Sequence, residues 1–242
     1  MPEISVILPA RNEERLLPNA LDSVAGQFYP LADVEAIVAS NGSTDRTAAL
    51  ARETGAALAA AGGPAVRVVV VAEHGVSRAK NAGAAAATGR LLLFMDADSR
   101  MSPGLLARVA ARAAAGERVA SIRIIADGRD PIDRAFFWVM ENGKRLVRTR
   151  ANMFWCEAAL FRELGGFDET LHHAEDLDLL VRAKRAGVRV GHVRDEWIAT
   201  SPRRLHRGPL RLGMFTMLGR WVLGHVGIGR RWPYSGGGGE AP

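Results

Sequence analysis

Two carboxylates, Asp96 and Asp98, flank Ala97 at the end of the apolar run Leu91–Met95. Five apolar residues in a row read as a buried strand. A strand that stops in Asp-Ala-Asp delivers two acidic side chains to a sheet edge, where open α/β folds bind ligands. Paired hard oxygens there suit Mg²⁺ or Mn²⁺, which could in turn hold a diphosphate. A second acidic group, Glu175-Asp176-Leu177-Asp178, opens a helix. Acidic residues favour a helix N-terminus without any function, and Asp178 with Arg182 has the spacing of a simple i,i+4 ion pair. Glu175 and Asp176, however, follow Gly165-Gly166-Phe167-Asp168-Glu169 and His172-His173. That places them on a loop-to-helix junction, a suitable position for a general base.

Four further stretches could bind a ligand. Pro9-Ala10-Arg11-Asn12-Glu13-Glu14 follows the first strand, and four successive polar residues at that strand's end favour a ligand site over a solvated turn. In Ser40-Asn41-Gly42-Ser43-Thr44-Asp45, a helix cap by Ser43 or Thr44 accounts for three residues but not for Asn41, whose amide can hydrogen-bond a nucleobase edge. Lys80 and Asn81 lie in the first turns of an Ala-rich helix, whose positive end suits an anion. Arg203-Arg204-Leu205-His206-Arg207 places three arginines and a histidine in five residues. It reads as a loop closing over a diphosphate, as the source of a third metal ligand (His206), or as a basic or membrane-facing patch.

Strand and helix signals alternate around these groups. Strands are expected over Ile4–Leu8, Val34–Ala39, Val66–Ala72, Leu91–Met95, Val119–Ile125, Met153–Cys156 and Val188–Val193. Helices are expected over Arg15–Ala25 (stopped by Gly26), Asp45–Thr54 (stopped by Gly55) and Ser77–Ala87, and after Ser102-Pro103. Further helices are expected over Asp130–Val147, Glu157–Leu164 and Glu175–Arg185. Such βαβ order predicts an α/β fold with a mainly parallel sheet and helices on both faces. The tail 235–242, with four glycines in a row, is expected to be disordered.

At 242 residues the chain suits one large domain with an extension. The net charge is +6, and lysine occurs only at Lys80, Lys144 and Lys184, so the positive charge is almost all arginine. Arginine pairs bidentately with phosphates. The expected anionic partner is a nucleotide or an acidic membrane surface, not nucleic acid; a biased genome would also enrich arginine. Cys156 is the single cysteine, which excludes an intramolecular disulfide and a thiolate zinc cluster. The N-terminus enters a strand pattern at once, so no signal peptide is expected and placement is expected to be cytoplasmic. Leu210–Gly229 is apolar but interrupted by Arg211, Arg220 and His225. It reads as packed on the domain or as an interfacial helix with Trp221 at headgroup level, and not as a spanning one.

In this order, P-A-R-N-E-E, N-G-S-T-D, A-K-N-A-G, D-A-D, G-G-F-D-E and E-D-L-D resemble glycosyltransferase family 2 over roughly residues 3–200. The resemblance implies a GT-A type fold, with a Rossmann-like nucleotide-binding half and an acceptor half over residues 1–207, and an apolar or amphipathic extension over 208–234. It implies that Pro9, Ala10, Arg11 and Glu13 line the base and ribose, that Asn41 contacts the base, and that Lys80 neutralises nucleotide charge. Asp96, with Ala97 beside it, would face the ribose or the metal through water, and Asp98 would ligate Mg²⁺ or Mn²⁺. Asp176 would be the catalytic base, with Glu175 adjacent. Ser40 departs from the family's usual aspartate, which leaves the choice of base open. Arg220-Trp221 keeps part of the processive members' Q-x-x-R-W but lacks the glutamine, which favours a non-processive enzyme.

The implied activity is inverting, metal-dependent transfer of one sugar from a nucleoside diphosphate sugar to an unidentified hydroxyl acceptor, for which a lipid-linked acceptor at the inner face of a membrane is one candidate. The alternative is a non-catalytic sugar-nucleotide-binding or membrane-recruited scaffold of the same fold. A nucleotidyltransferase would want a Gly-rich phosphate loop after the first strand, which is absent, and no G-x-G-x-x-G follows any expected strand.

Overall fold

The computed structural model describes residues 2–146, 153–171, 173–206 and 211–225; for 144–146 and 220–225 it describes the backbone alone. Val147, His172, Arg207, the tail 235–242 and most of 208–234, with the side chains of Arg220 and Trp221, lie outside the described residues.

The first half is a run of βα units: β1 (Ile4–Ala10), α1 (Leu17–Ala25), β2 (Val34–Asn41), α2 (Thr47–Ala60), β3 (Ala65–Val71), α3 (Val76–Ala86) and β4 (Leu91–Phe94). The remainder is β5 (Ser99–Met101), α4 (Leu105–Ala114), β6 (Val119–Ala126), α5 (Pro131–Leu146), β7 (Phe154–Glu157), α6 (Ala158–Glu163), α7 (Glu175–Arg185), β8 (Gly191–Thr200) and α8 (Leu212–His225). The eight strands form one sheet in the order β3-β2-β1-β4-β7-β6-β8-β5. β3, β2, β1 and β4 are mutually parallel, β7 runs antiparallel to β4 and β6, β8 returns parallel to β6, and β5 is antiparallel to β8.

Apolar side chains leave β1 in both directions. Val6 and Leu8 join one buried cluster with α1 and α4, whereas Ile7 joins another with Phe94, Phe154, Phe161 and Phe167. A sheet covered on both faces needs apolar residues at every position, which is why these strands read as continuous runs. The order 3-2-1-4 puts a topological switch between β1 and β4, and ligand crevices open at the carboxyl ends of strands at such a point. Glu13 follows one of these strands, and Asp96 and Asp98 follow the other.

Three expectations are corrected. Gly55 does not end α2, which continues to Ala60. A Cβ at Gly55 would stand 2.7 Å from Val66 Cβ, so this glycine permits close helix–strand packing and is not a stop signal. Ser43 and Thr44 do not cap α2. Asp45 Oδ1 accepts from Thr47 N at 2.9 Å, a charge-assisted bond at the helix N-terminus, and Ser43 and Thr44 turn instead to Asn12. The last strand is Gly191–Thr200 and not Val188–Val193. Its pairing jumps from Ile122↔Val193 to Arg123↔Trp197, so the charged Arg194-Asp195-Glu196 bulges out and hides the strand pattern.

Candidate active site

β4 ends at Phe94, and Met95 N bonds Ile7 O at 3.0 Å, so the chain leaves the sheet beside β1. β5 then catches Ser99–Met101 and holds Asp96-Ala97-Asp98 as a short turn at the crevice. Ala97 is buried. Asp98 is also buried; its Oδ1 lies 3.3 Å from Ser99 Oγ, and its Oδ2 accepts from Arg203 Nη2 at 3.1 Å, with Arg204 Nη2 at 3.9 Å. Burial, with the neighbouring Asp98 carboxylate, raises the pKa of Asp96 above the usual aspartate value, against the pull of Lys80.

Lys80 comes from α3 and is buried. Its Nζ donates to Glu175 Oε1 and Asp176 Oδ1, each at 2.7 Å, and lies over the Phe167 ring at 5.2 Å from the centroid. Burial opposes the charge on Lys80, but Asp176, Glu175 and Asp96 outweigh it and raise its pKa. Burial likewise opposes ionisation of Glu175, yet the Lys80 charge and hydrogen bond win and hold its pKa low. For Asp176 burial prevails, and its pKa rises to about 7. The two adjacent carboxylates therefore differ: Glu175 is the fixed anion and Asp176 the group poised to exchange a proton near neutrality. Asp178 and Arg182 form the expected i,i+4 pair at 2.8 Å.

The loop before α7 is clasped to α3. Asn81 Nδ2 donates to Phe167 O and Asn81 Oδ1 accepts from Phe167 N, both at 2.9 Å. Ser77 Oγ donates to Leu171 O at 3.1 Å. Gly166 has φ +70°, and a Cβ there would meet Asn81 Oδ1 at 2.9 Å. The motifs A-K-N-A-G and G-G-F-D-E thus act as two halves of one contact, with Asn81 as the clamp. Sequence reading missed that role for Asn81.

On the β1–β2 side, Ala10 is buried and Pro9 half-buried at the strand end, and Arg11 is exposed beside His74 at 3.5 Å. Glu13 is buried, and burial raises its pKa. Its Oε1 accepts from Arg203 Nη2, the nitrogen that also reaches Asp98. Glu13 Oε2 and Asn41 Oδ1 are buried without a hydrogen-bond partner. Buried unpaired acceptors are costly unless something arrives to donate to them, and both stand at the crevice. Ser40 Oγ bonds Ser43 Oγ at 3.2 Å.

His206 is engaged elsewhere. Its Nε2 lies 2.9 Å from Asp133 Oδ2, and Arg211 joins the same group through Asp133 at 2.8 Å and Asp130 at 2.5 Å. Asp130, Asp133 and His206 bring ligand atoms within 4.8 Å of one another, and no contact between His206 and Asp98 occurs among the described residues. The sequence signal for this cluster was Asp130 and Asp133, three apart at a helix start and passed over.

A divalent cation fits the crevice. Five carboxylates (Glu13, Asp96, Asp98, Glu175, Asp176) face three cationic side chains (Lys80, Arg203, Arg204). An added diphosphate would need further positive charge there. Asp98 Oδ2 already holds a cationic group in Arg203, and its hard oxygens suit Mg²⁺ or Mn²⁺.

The family model described as Glycosyl transferase family 2 matches residues 5–163. An uncharacterized glycosyltransferase of Mycobacterium tuberculosis is 32% identical over 200 residues, covering 77% of this chain and 81% of that protein. The Bacillus subtilis protein named Probable glycosyltransferase YdaM is 25% identical over 209 residues, covering 78% of this chain and 48% of its own length. This chain thus spans about half of that relative. Among solved structures, the mannosyltransferase PcManGT of Pyrobaculum calidifontis, in complex with GDP-Man and Mn²⁺, superposes with a TM-score of 0.70 at 22% identity. That match covers 100% of this chain and 66% of the other, and it shows the shared GT-A fold.

Proposed function

The chain belongs to glycosyltransferase family 2, and on that premise we propose that it transfers a single sugar, with inversion and with the aid of a divalent metal, from a nucleoside diphosphate sugar to a hydroxyl acceptor. The observation that carries this reading is the meeting of three distant segments: the Asp98 turn, Lys80, and the Glu175-Asp176 pair with its one neutral-range carboxylate.

Transfer breaks the bond between the anomeric carbon and the diphosphate oxygen and forms one to the acceptor oxygen. Asp176 takes the acceptor's hydroxyl proton as it attacks from the face opposite the leaving group. Lys80 keeps Glu175 ionised and Asp176 oriented. Arg203 and Arg204, at the rim, are positioned to meet negative charge developing on the diphosphate. Asp98, with Asp96, would hold a Mg²⁺ or Mn²⁺ ion, which supplies Lewis-acid stabilisation when bound. Pro9, Ala10, Arg11, Glu13 and Asn41 line the base and ribose side. The unpaired Glu13 Oε2 and Asn41 Oδ1 suit ribose hydroxyl and base N–H donors.

We further propose that the acceptor is lipid-linked and that α8 meets a membrane surface. Leu212, Phe215 and Leu218 on α8 are exposed, which supports that reading. Among the described residues no helix is long and apolar enough to cross a membrane.

The test is donor turnover with UDP-, GDP-, TDP- and CDP-sugars in Mn²⁺, preceded by thermal-shift screening of the four nucleoside diphosphates. Asp176→Asn should bind donor as the wild type does while losing about 10²–10⁴-fold in transfer. Near wild-type transfer by Asp176→Asn would reject the base assignment. Donor binding without turnover by the wild type would favour the scaffold alternative.

A further inference from the structure

Resting on the donor-site reading above, we propose that Arg203 is a built-in counter-cation. Its guanidinium holds Asp98 Oδ2, the oxygen that would ligate a divalent metal, and it yields that place to the metal and turns to the diphosphate of the donor.

One nitrogen, Arg203 Nη2, bonds both Glu13 Oε1 and Asp98 Oδ2. These carboxylates follow different strands, β1 and β4, and both are buried. Without a cation between them they would repel. Asp98 Oδ1 is turned towards the hydroxyls of Ser99 and Thr200, at 3.3 and 3.5 Å. The Oδ2 lone pairs that would ligate a metal therefore face Arg203 and Arg204. A guanidinium hydrogen-bonded there competes with a metal ion for those lone pairs and repels its charge. Lys80 cannot substitute for Arg203, because Glu175 and Asp176 already hold its ammonium.

The geometry also lets Arg203 leave. It sits on a single helical turn, Pro202–Arg204, directly after β8. The preceding residue is tied to the acidic turn itself, Ser201 N to Asp98 O at 3.1 Å. The backbone thus stays at the crevice while the side chain, 40% exposed, can swing. An arginine fork matches phosphate oxygens as well as it matches carboxylates, so the displaced group gains a new partner on the donor.

The test is titration of MnCl₂ into the donor-free protein by isothermal calorimetry and Mn²⁺ EPR, for wild type, Arg203→Ala, Arg203→Lys and Asp98→Ala. Arg203→Ala should bind Mn²⁺ about tenfold more tightly than wild type, because one competing unit charge is gone. Arg203→Lys should fall between the two, and Asp98→Ala should lose the site. UDP and GDP in saturating Mn²⁺ should show the opposite sign, binding more weakly to Arg203→Ala. Mn²⁺ should also raise the Tm of Arg203→Ala more than that of wild type, a response an unfolded variant could not give. Unchanged Mn²⁺ affinity in Arg203→Ala, with binding abolished in Asp98→Ala, overturns the counter-cation role and leaves the metal site standing. Undiminished Mn²⁺ binding in Asp98→Ala overturns both.

Discussion

Lys80 Nζ lies 2.7 Å from Asp176 Oδ1, across 96 residues of chain. The family resemblance implied that this lysine would neutralise nucleotide charge. Its ammonium contacts the two carboxylates that open α7. Being buried, it cannot also reach water, and its charge sets how Glu175 and Asp176 share protons. The lysine of A-K-N-A-G is thus bound into the E-D-L-D motif.

A pH profile follows from that pairing. Asp176 acts as a base only when ionised, and burial has raised its pKa to about 7. The kcat/KM for transfer should therefore rise with pH through neutrality and level off above it. Lys80 opposes the rise, so Lys80→Met should move this limb upwards by about 1–3 units. Rates measured from pH 5 to 9 for both proteins check the direction; a limb that stays put, or moves down, contradicts the assignment.

Lys80→Met should also destabilise the fold. It leaves Glu175 and Asp176 partly or wholly buried without their counter-charge, a change that costs about 3–5 kcal/mol. Urea denaturation measures it. Adding Glu175→Gln to the same chain should restore part of the loss, since the two sites are in contact and their effects are not additive. Equal destabilisation in the single and double variants would show that Lys80 acts through packing alone.

Asn41→Ala separates binding from stability. Asn41 Oδ1 is buried without a hydrogen-bond partner from the protein, so its loss should leave the urea midpoint unchanged or slightly higher. Nucleoside diphosphate affinity should fall by about 0.5–1.5 kcal/mol, the net worth of one hydrogen bond. Calorimetry with UDP and GDP reads the loss, and the preferred base should lose more than the other. No change with either nucleotide would place the base away from β2.

Phe167→Ala should cost about 3–5 kcal/mol. The ring packs edge-on to Phe94 at 5.0 Å and lies 5.3 Å from Phe161 between centroids. It also carries the Lys80 ammonium on its face. Phe167→Leu should recover most of the stability while the acid limb of the pH profile still shifts, because leucine fills volume but offers no ring quadrupole. Chemical denaturation and the rate profile measured on the same preparations test both halves of this prediction.

Much of the fold was legible in sequence because its signals are local. β1, β2 and β4 lie on the apolar runs that announce them, although Pro9 does not end β1, which pairs with β2 through Ala10. Gly55 misled because a glycine demanded by a neighbouring strand looks the same as one that ends a helix. The last strand misled because Arg194-Asp195-Glu196 bulges from the ladder, and bulged residues carry no alternation.

What the sequence determined alone was the inventory: which strands end in carboxylates, which helix opens with acids, and their order along the chain. It could not determine which charges meet. Arg203 reaches Asp98 across 105 residues and Lys80 reaches Asp176 across 96, pairings created by the strand order around β1 and β4 and by the reach of individual side chains. His206 went to Asp133, not to the Asp98 turn, for the same reason: a basic segment pairs with the nearest buried carboxylate, and nearness is a property of the folded sheet. The proton poise of Asp176 is likewise tertiary, since it balances burial against one ammonium held 2.7 Å away.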